Sequence, residues 1–180
     1  MTKAPGYELR NNPGYQELSE IQDWMAAGDL DQLTFAMHVV DSFPHGHDGC
    51  FGTPWIVHAA GCGSVATVTW MVGQGVNVRP TVTDGYPPLL ACLEDDHAAK
   101  YATLDVLIAA GADLNARGIN GWTALHMAAI QEDERAMRIL LTAGADRSIT
   151  TLIDDDATPE EEARLLGHSR AAAFIAAFEP

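Results

Sequence analysis

The stretch GWTALHMAA at residues 121–129, followed by RILL at 138–141 and GAD at 144–146, decides how this chain folds. Thr123 stands before a short apolar run, and its hydroxyl can accept one of the backbone N–H groups that a helix start leaves unpaired. Acids at 132–134 precede a second apolar run, where they suit the positive end of a helix dipole. The stretch therefore predicts two short helices joined by a turn.

The same arrangement recurs along the chain at a nearly constant interval. GADLN at 111–115 begins 33 residues before GAD at 144–146, and GVN at 75–77 is a weaker copy. The expected helix-opening positions, spaced by 34, 36 and 35 residues, are Thr53, Pro87, Thr123 and Thr158. One helical hairpin of this size cannot bury its own apolar face, so several copies must stack. The sequence therefore predicts an array of stacked hairpins.

Residues 121–146 resemble an ankyrin repeat, whose signature is T-P-L-H-x-A near the start and G-A-D-x-N near the end. Here the first part reads TALHMA, with Ala124 where proline is usual. The resemblance implies an all-α ankyrin-repeat solenoid with short β-like finger loops. It also implies a structural role for His126, whose ring should tie the inter-repeat turn by hydrogen bonds. A tetratricopeptide array has a similar period, but its Trp/Gly/Tyr/Ala/Phe pattern is different.

The resemblance extends over nearly the whole chain. We expect residues 1–15 to be a flexible lead-in and residues 16–180 to form a single ankyrin-repeat domain. Five repeats are predicted, at about 16–47, 48–81, 82–117, 118–152 and 153–180. One extra residue is expected between Thr53 and Ala59, which removes the usual histidine of the second repeat. Three extra residues of the third repeat are expected in the turn at 94–97.

The chain is strongly acidic, with ten Lys and Arg residues against 25 Asp and Glu residues and a formal charge of −15 at pH 7. This charge makes nucleic acid backbones and anionic membrane surfaces poor partners. A protein with a basic surface is a better partner, although excess charge also serves solubility. The acids at 160–162 suit a C-terminal cap with a polar outer side.

Neither a signal peptide nor a membrane span of about 20 apolar residues is evident in the sequence. We therefore expect a cytoplasmic protein, and a monomer. Cys50, Cys62 and Cys92 are odd in number and irregular in spacing. This pattern predicts free thiols rather than a disulfide framework.

His45, His47 and Cys50 are the candidate metal ligands, because imidazoles and thiolates bind zinc. A polar turn at a fingertip explains the same residues, and no second ligand cluster at structural-site spacing occurs in the sequence. Cys92 lacks a histidine at nucleophile-motif spacing, which favours packing over catalysis. The sequence therefore predicts no metal, no cofactor and no catalytic residue.

The ankyrin resemblance implies that recognition uses the fingertips and the inner-helix ends on the concave side. The corresponding partner-binding residues of this chain are Asp84, Tyr86, Glu94, Asp95, Arg117, Ile119, Asn120, Trp122 and Gln131. Tyr86 and Trp122 hold equivalent places on adjacent fingers, so we expect the two rings to lie side by side on the surface. Exposed Tyr and Trp side chains are enriched among interface hot spots.

Three functional hypotheses follow from these observations. The favoured one is a non-catalytic protein–protein interaction module, or adaptor, that binds a basic partner protein through its concave finger face. An acidic single domain of this size is also consistent with an immunity or inhibitor protein that neutralises a basic toxin or nuclease. The third hypothesis is a metal-dependent enzyme built around His45, His47 and Cys50, which metal analysis of the purified protein would test.

Overall fold

A computed structural model of the chain describes residues 13–62, 64–82, 85–94, 97–153 and 156–179. Within these ranges, ten α-helices form five successive hairpins. Extended pairing in the same ranges is limited to an antiparallel bridge between His47 and Pro54. The lead-in predicted at 1–15 lies outside the described residues except for its last three positions, which belong to the first helix.

Inner and outer helices alternate along the chain. The inner helices are α1 (Pro13–Ala27), α3 (Trp55–Gly61), α5 (Pro88–Glu94), α7 (Ala124–Ile130) and α9 (Pro159–Leu165). The outer helices are α2 (Leu30–Val39), α4 (Val65–Gly73), α6 (Lys100–Ala109), α8 (Glu134–Thr142) and α10 (Ser169–Ala177). Each inner helix contacts the next inner helix, and each outer helix contacts the next outer one. This stacking confirms the predicted all-α solenoid.

Small buried side chains let the inner helices approach one another closely. The four inner helices α3, α5, α7 and α9 each have seven residues. The fifth residue of each is fully buried, and these residues are Ala59, Cys92, Ala128 and Ala163. Larger side chains at this position would force the stack apart, because protein interiors are close-packed. Cys92 therefore serves in packing, as the sequence indicated.

His126 links the fourth repeat to the fifth. Its Nδ1 accepts a hydrogen bond of 3.1 Å from the backbone N–H of Thr123, the N-cap residue of α7. The opposite ring nitrogen, Nε2, donates to the carbonyl oxygen of Ala157 at 3.2 Å. Burial lowers the pKa of His126, with the bond to Ala157 acting in the opposite direction. The neutral ring thus has the structural role that the ankyrin resemblance implied.

The first helix of the second repeat opens one residue later than predicted. Thr53 belongs to the preceding finger, because its carbonyl oxygen accepts from the N–H of Asp48 at 2.9 Å. Pro54 is the N-cap residue of α3. The extra residue expected between Thr53 and Ala59 is present but lies before α3, since α3 and α7 have equal lengths and Thr53 stands one position further from its helix than Thr123 does. Val57 takes the position that His126 holds in the fourth repeat.

The insertion predicted at 94–97 falls partly outside the described residues. The inner helix α5 ends at Glu94, and the outer helix α6 begins at Lys100. The backbone N–H of Lys100 donates to the carbonyl oxygen of His97 at 3.2 Å, which forms the turn into α6. No helix in the described part of the chain is long and apolar enough to cross a membrane.

Candidate functional site

A groove of about 1060 Å³ lies on the concave side of the first three repeats. The helices α1, α3 and α5 form one side, and the fingers before α3 and α5 form the other. The side chains that give the groove its chemistry are Asp23, His58, Cys62 and Glu94 from the helices and Phe51 and Tyr86 from the fingers. The groove therefore combines carboxylates with aromatic surface.

The charge of the groove is negative. Asp23 and Glu94 are both exposed, and no Lys or Arg is among the described residues that line the groove. The sequence from 11 to 78 has seven Asp and Glu residues and no Lys or Arg. The inner and outer helices of the first two repeats thus carry no permanent positive charge. Such a cleft attracts cations and raises their local concentration.

The first finger is held in shape by the carboxylate of Asp48, whose side chain is fully buried. One oxygen accepts from the backbone N–H groups of Cys50 at 2.8 Å and Phe51 at 2.5 Å. The other accepts from the N–H of Thr53 at 2.8 Å. These bonds fix the backbone around the fingertip. The ring of Phe51 stays 60% exposed on this fixed loop.

His58 connects this finger to the first helix across the groove floor. Its Nε2 donates to Asp48 at 3.0 Å, and the side-chain amide of Gln22 donates to its Nδ1 at the same distance. Burial alone would raise the pKa of Asp48. The hydrogen bonds from His58 and from the finger N–H groups outweigh burial, so the pKa of Asp48 is lowered. The finger is therefore organised around an ionised carboxylate.

Replacing Asp48 by Ala is expected to lower the free energy of unfolding by about 1–3 kcal/mol, the usual result of leaving buried donors without an acceptor. The wild-type contribution is present above the unfolded-state pKa of about 3.9 and is lost as the pH falls through the lowered folded-state value. Urea unfolding at pH 7 and at pH 3 would measure both effects. A loss that is the same at the two pH values would show that the carboxylate charge is not what organises the finger.

The structure assigns the predicted site residues to different surroundings. Tyr86 and Glu94 both line the groove, although the groove extends over repeats 1–3 rather than repeats 3 and 4. Asp84 and Asp95 lie outside the described residues. Ile119 and Asn120 are exposed on the fourth finger. The groove thus brings together two predicted residues with several that the sequence did not suggest.

Arg117 and Gln131 serve contacts between repeats. The guanidinium group of Arg117 donates to the carbonyl oxygen of Thr150. The side-chain amide of Gln131 donates to the carbonyl oxygen of Leu93 at 2.6 Å. Both side chains therefore hold neighbouring repeats together, in addition to any contact that they make with a partner.

Trp122 departs from the predicted arrangement. Its ring packs against the hydrophobic core, and its indole nitrogen is fully buried. Burial raises the pKa of Glu162 in α9, and the nearby indole of Trp122 opposes this rise, although no hydrogen bond of normal geometry joins the two side chains. Tyr86 faces the groove instead, and no ring contact joins these two described residues. The expectation of an exposed Tyr86–Trp122 pair is therefore wrong, because both rings are half-buried against the core and they do not contact each other.

The candidate metal ligands do not converge on one point. His45 and His47 are exposed, and Cys50 is half-buried. In the part of the chain that the structure describes, no group of three His, Cys, Asp or Glu side chains is placed to hold a metal ion. The geometry of the first finger is explained by Asp48, which lies within the same stretch.

The thiols of Cys62 and Cys92 are poor nucleophiles. Burial and the nearby charge of Asp23 raise the pKa of Cys62 to about 11. Burial raises the pKa of Cys92 to about 12, and its Sγ donates to the carbonyl oxygen of Lys100 at 3.3 Å. Because the thiolate is the reactive form, neither cysteine is activated at neutral pH.

Sequence reasoning missed four residues that shape the groove: Asp23, Asp48, Phe51 and His58. A local signal existed for Asp48, since an Asp followed by Gly49 favours a turn in which the carboxylate bonds to the backbone two residues on. The sequence around Asp23 and His58 does not indicate that these side chains meet in the groove. Their approach depends on how α1 stacks on α3, which is a property of the array rather than of either helix.

The chain matches the family of ankyrin repeats over residues 56–151, with three copies. The match covers more than half of its length, so the chain belongs to the ankyrin repeat family. Ankyrin repeats are protein–protein interaction modules and are generally non-catalytic.

Curated relatives share one segment with this chain. The mitochondrial disaggregase of Bos taurus is 34% identical over 94 residues, which are 52% of this chain and 13% of that protein. The Homo sapiens mitochondrial disaggregase is 34% identical over 104 residues, or 58% of this chain and 14% of the relative. The E3 ubiquitin-protein ligase KEG of Arabidopsis thaliana is 32% identical over 99 residues, 55% of this chain and 6% of the relative. The chain thus spans a small part of each relative.

Proposed function

We propose that this protein is a non-catalytic adaptor that binds a partner protein with a basic surface through the concave groove of repeats 1–3. The observation that carries the proposal is the acidic lining of this groove, in a region where residues 11–78 contain no Lys or Arg. A partner that presents Lys or Arg side chains complements Asp23 and Glu94. Complementary charge of this kind raises association rates and selects partners.

Aromatic side chains supply the apolar part of the contact. Phe51 is exposed at a fingertip that Asp48 holds in place, and Tyr86 lines the same groove from the next finger. A loop that is already ordered loses less conformational entropy when a partner binds. Phe51 is therefore the expected hot spot of the interface, with the carboxylates as its charged surroundings.

The proposal is tested with a synthetic peptide of alternating Lys and Leu residues, added to ¹⁵N-labelled protein. We expect chemical shift changes at Asp23, Phe51 and Glu94, and weaker changes with a matched Glu/Leu peptide. The double change Asp23→Lys and Glu94→Lys should lower the affinity for the Lys/Leu peptide about tenfold or more, and tenfold corresponds to about 1.4 kcal/mol. It should also flatten the dependence of binding on salt.

Asp105→Lys is the matched control, because Asp105 is an exposed acid on the outer helix α6. This substitution changes the net charge by the same amount as each groove substitution but lies outside the groove. The affinity for the Lys/Leu peptide should therefore fall much less than it does for the groove variant. If each substituted charge lowered the affinity equally in the control and in the groove variant, binding would depend on net charge alone. The proposal that the groove is the binding site would then be wrong. A natural partner that proves to be a toxin or nuclease, inactivated in a one-to-one complex, would assign the inhibitor form of this function.

A further inference from the structure

The inner helices mark one edge of the concave surface from end to end. Since α3, α5, α7 and α9 all have seven residues, their last residues are equivalent, and these are Gly61, Glu94, Ile130 and Leu165. Gly61 and Glu94 line the acidic groove. The same edge therefore continues over repeats 4 and 5 through Ile130 and Leu165.

The fingers mark the opposite edge. The backbone N–H of Ile119 donates at 3.0 Å to the carbonyl oxygen of Gly85, which lines the groove. One finger further, the N–H of Leu152 donates to the carbonyl oxygen of Asn120 at 2.8 Å. These bonds place Ile119 and then Leu152 in line with the finger side of the groove.

Both edges carry large exposed apolar side chains beyond the third repeat, beside the exposed polar residues Asn120, Glu161 and Arg164. Exposed fractions are 41% for Ile119, 69% for Leu152, 66% for Leu165 and 56% for Leu166, which follows it. The acids at 160–162 precede these leucines in α9, where Thr158 is the N-cap residue and the Glu161 carboxylate accepts from its N–H at 2.9 Å. Terminal repeats need a polar outer face for solubility, and clustered exposed apolar side chains mark interaction sites.

We propose that the concave surface has two halves, an acidic one over repeats 1–3 and an apolar one over repeats 4 and 5, which bind one partner protein together. The partner offers a basic stretch that continues directly into an apolar stretch, with the basic end over Asp23 and Glu94. This inference rests on the proposed function and adds the composition and the direction of the bound segment.

Charge complementarity favours a single occupant of mixed character. A wholly basic segment would leave Leu152 and Leu165 in water, and it would gain nothing from them. A wholly apolar segment would remove water from the Asp23 and Glu94 carboxylates without adding a positive charge, which is unfavourable for charged groups. Because both halves share the same two edges, one continuous segment satisfies both.

Three peptides of equal length test the inference by fluorescence anisotropy. The first has a Lys/Arg half followed by a Leu/Val half, the second replaces the Leu/Val half by Gly/Ser, and the third replaces the Lys/Arg half by Gly/Ser. The mixed peptide should bind at least tenfold more tightly than either of the others, because its second half binds at a high effective concentration. A fourth peptide, with the same two halves in reverse order, reports the direction in which the segment binds.

Leu165→Ser is the decisive variant. It should weaken the mixed peptide about fivefold or more and leave the affinity for the basic peptide unchanged. Val39→Ser is its matched control, since Val39 is 56% exposed on the outer helix α2. Thermal melts of both variants check the fold, and Ile119→Ser gives a second test from the opposite edge.

The outcomes separate the two proposals. Equal affinities of the mixed and the basic peptide, with shifts still seen at Asp23 and Glu94, would overturn the two-half surface and leave the proposed function in place. An effect of Leu165→Ser on the basic peptide alone would also overturn it. Failure of both Lys/Arg-containing peptides to perturb the groove would overturn the inference and the proposed function together.

Discussion

Replacing Asp133 by Ala is expected to lower the free energy of unfolding by about 3–5 kcal/mol, the range found when one member of a buried ion pair is removed. The Nζ atom of Lys100 lies 2.7 Å from the Asp133 carboxylate, and both side chains are only 8% exposed. The same carboxylate accepts from the hydroxyl of Tyr101 at 3.1 Å and from the N–H of Ala136 at 3.0 Å. One substitution therefore removes a helix cap and leaves an ammonium group buried without this carboxylate.

Urea unfolding followed by circular dichroism measures this effect, with Arg164→Ala as the control. Arg164 pairs with Glu160 on the surface of α9, and its side chain is 61% exposed. Exposed pairs typically contribute about 0.2–1 kcal/mol. Similar losses in the two variants would show that burial does not strengthen the Lys100–Asp133 pair.

The pH dependence gives an independent check of the same pair. Burial acts to raise the pKa of Asp133, but the bonds from Lys100 and from the N–H of Ala136 outweigh it and lower the pKa. The stabilisation is therefore complete above the unfolded-state pKa of about 3.9 and disappears as the pH falls through the lower folded-state value. The difference between wild type and Asp133→Ala should accordingly shrink below about pH 4.

The array itself was predictable from the sequence because its causes are local and repeated. The GAD turns and the helix-opening residues recur at about one interval, and each marks a point where the backbone changes direction. Gly111 and Gly144 indeed adopt φ values of 88° and 96°, which favour glycine. The role of His126 was also predictable, because its bond to Thr123 lies within one helical turn.

The start of α3 was harder to predict, because Thr53 and Pro54 both suit a helix opening. The choice between them depends on Asp48. Its backbone N–H donates to the carbonyl oxygen of Thr53, and its carboxylate accepts from the N–H of Thr53, so Thr53 stays in the finger. The prediction for Trp122 was wrong for a related reason. Its place in the repeat equals that of Tyr86, but its indole nitrogen is buried near Glu162 of the fifth repeat. Contacts between repeats are set by pairs of side chains that no single repeat reveals.

Trp55→Ala is expected to lower the free energy of unfolding by about 3–5 kcal/mol, as truncation of a buried aromatic side chain does. Trp55 opens α3 and is completely buried. Its ring meets Phe43 edge to face, with 5.4 Å between centroids, and its indole N–H donates to the hydroxyl of Ser42 at 3.0 Å. The substitution thus opens a cavity between the first and second repeats and leaves the Ser42 hydroxyl without this donor.

The loss should be confined to one end of the molecule. Each repeat contacts only its neighbours, so the stability of an array is nearly a sum of repeat and interface contributions. Hydrogen exchange of Trp55→Ala should show faster exchange in α1–α4 and near wild-type protection in α8 and α10. Phe35→Ala is the control, since Phe35 is 55% exposed on α2 and its truncation should change stability by no more than about 0.5 kcal/mol. Equal loss of protection at both ends would show that the five repeats unfold as one cooperative unit, and the acidic and apolar halves of the concave surface would then be energetically coupled.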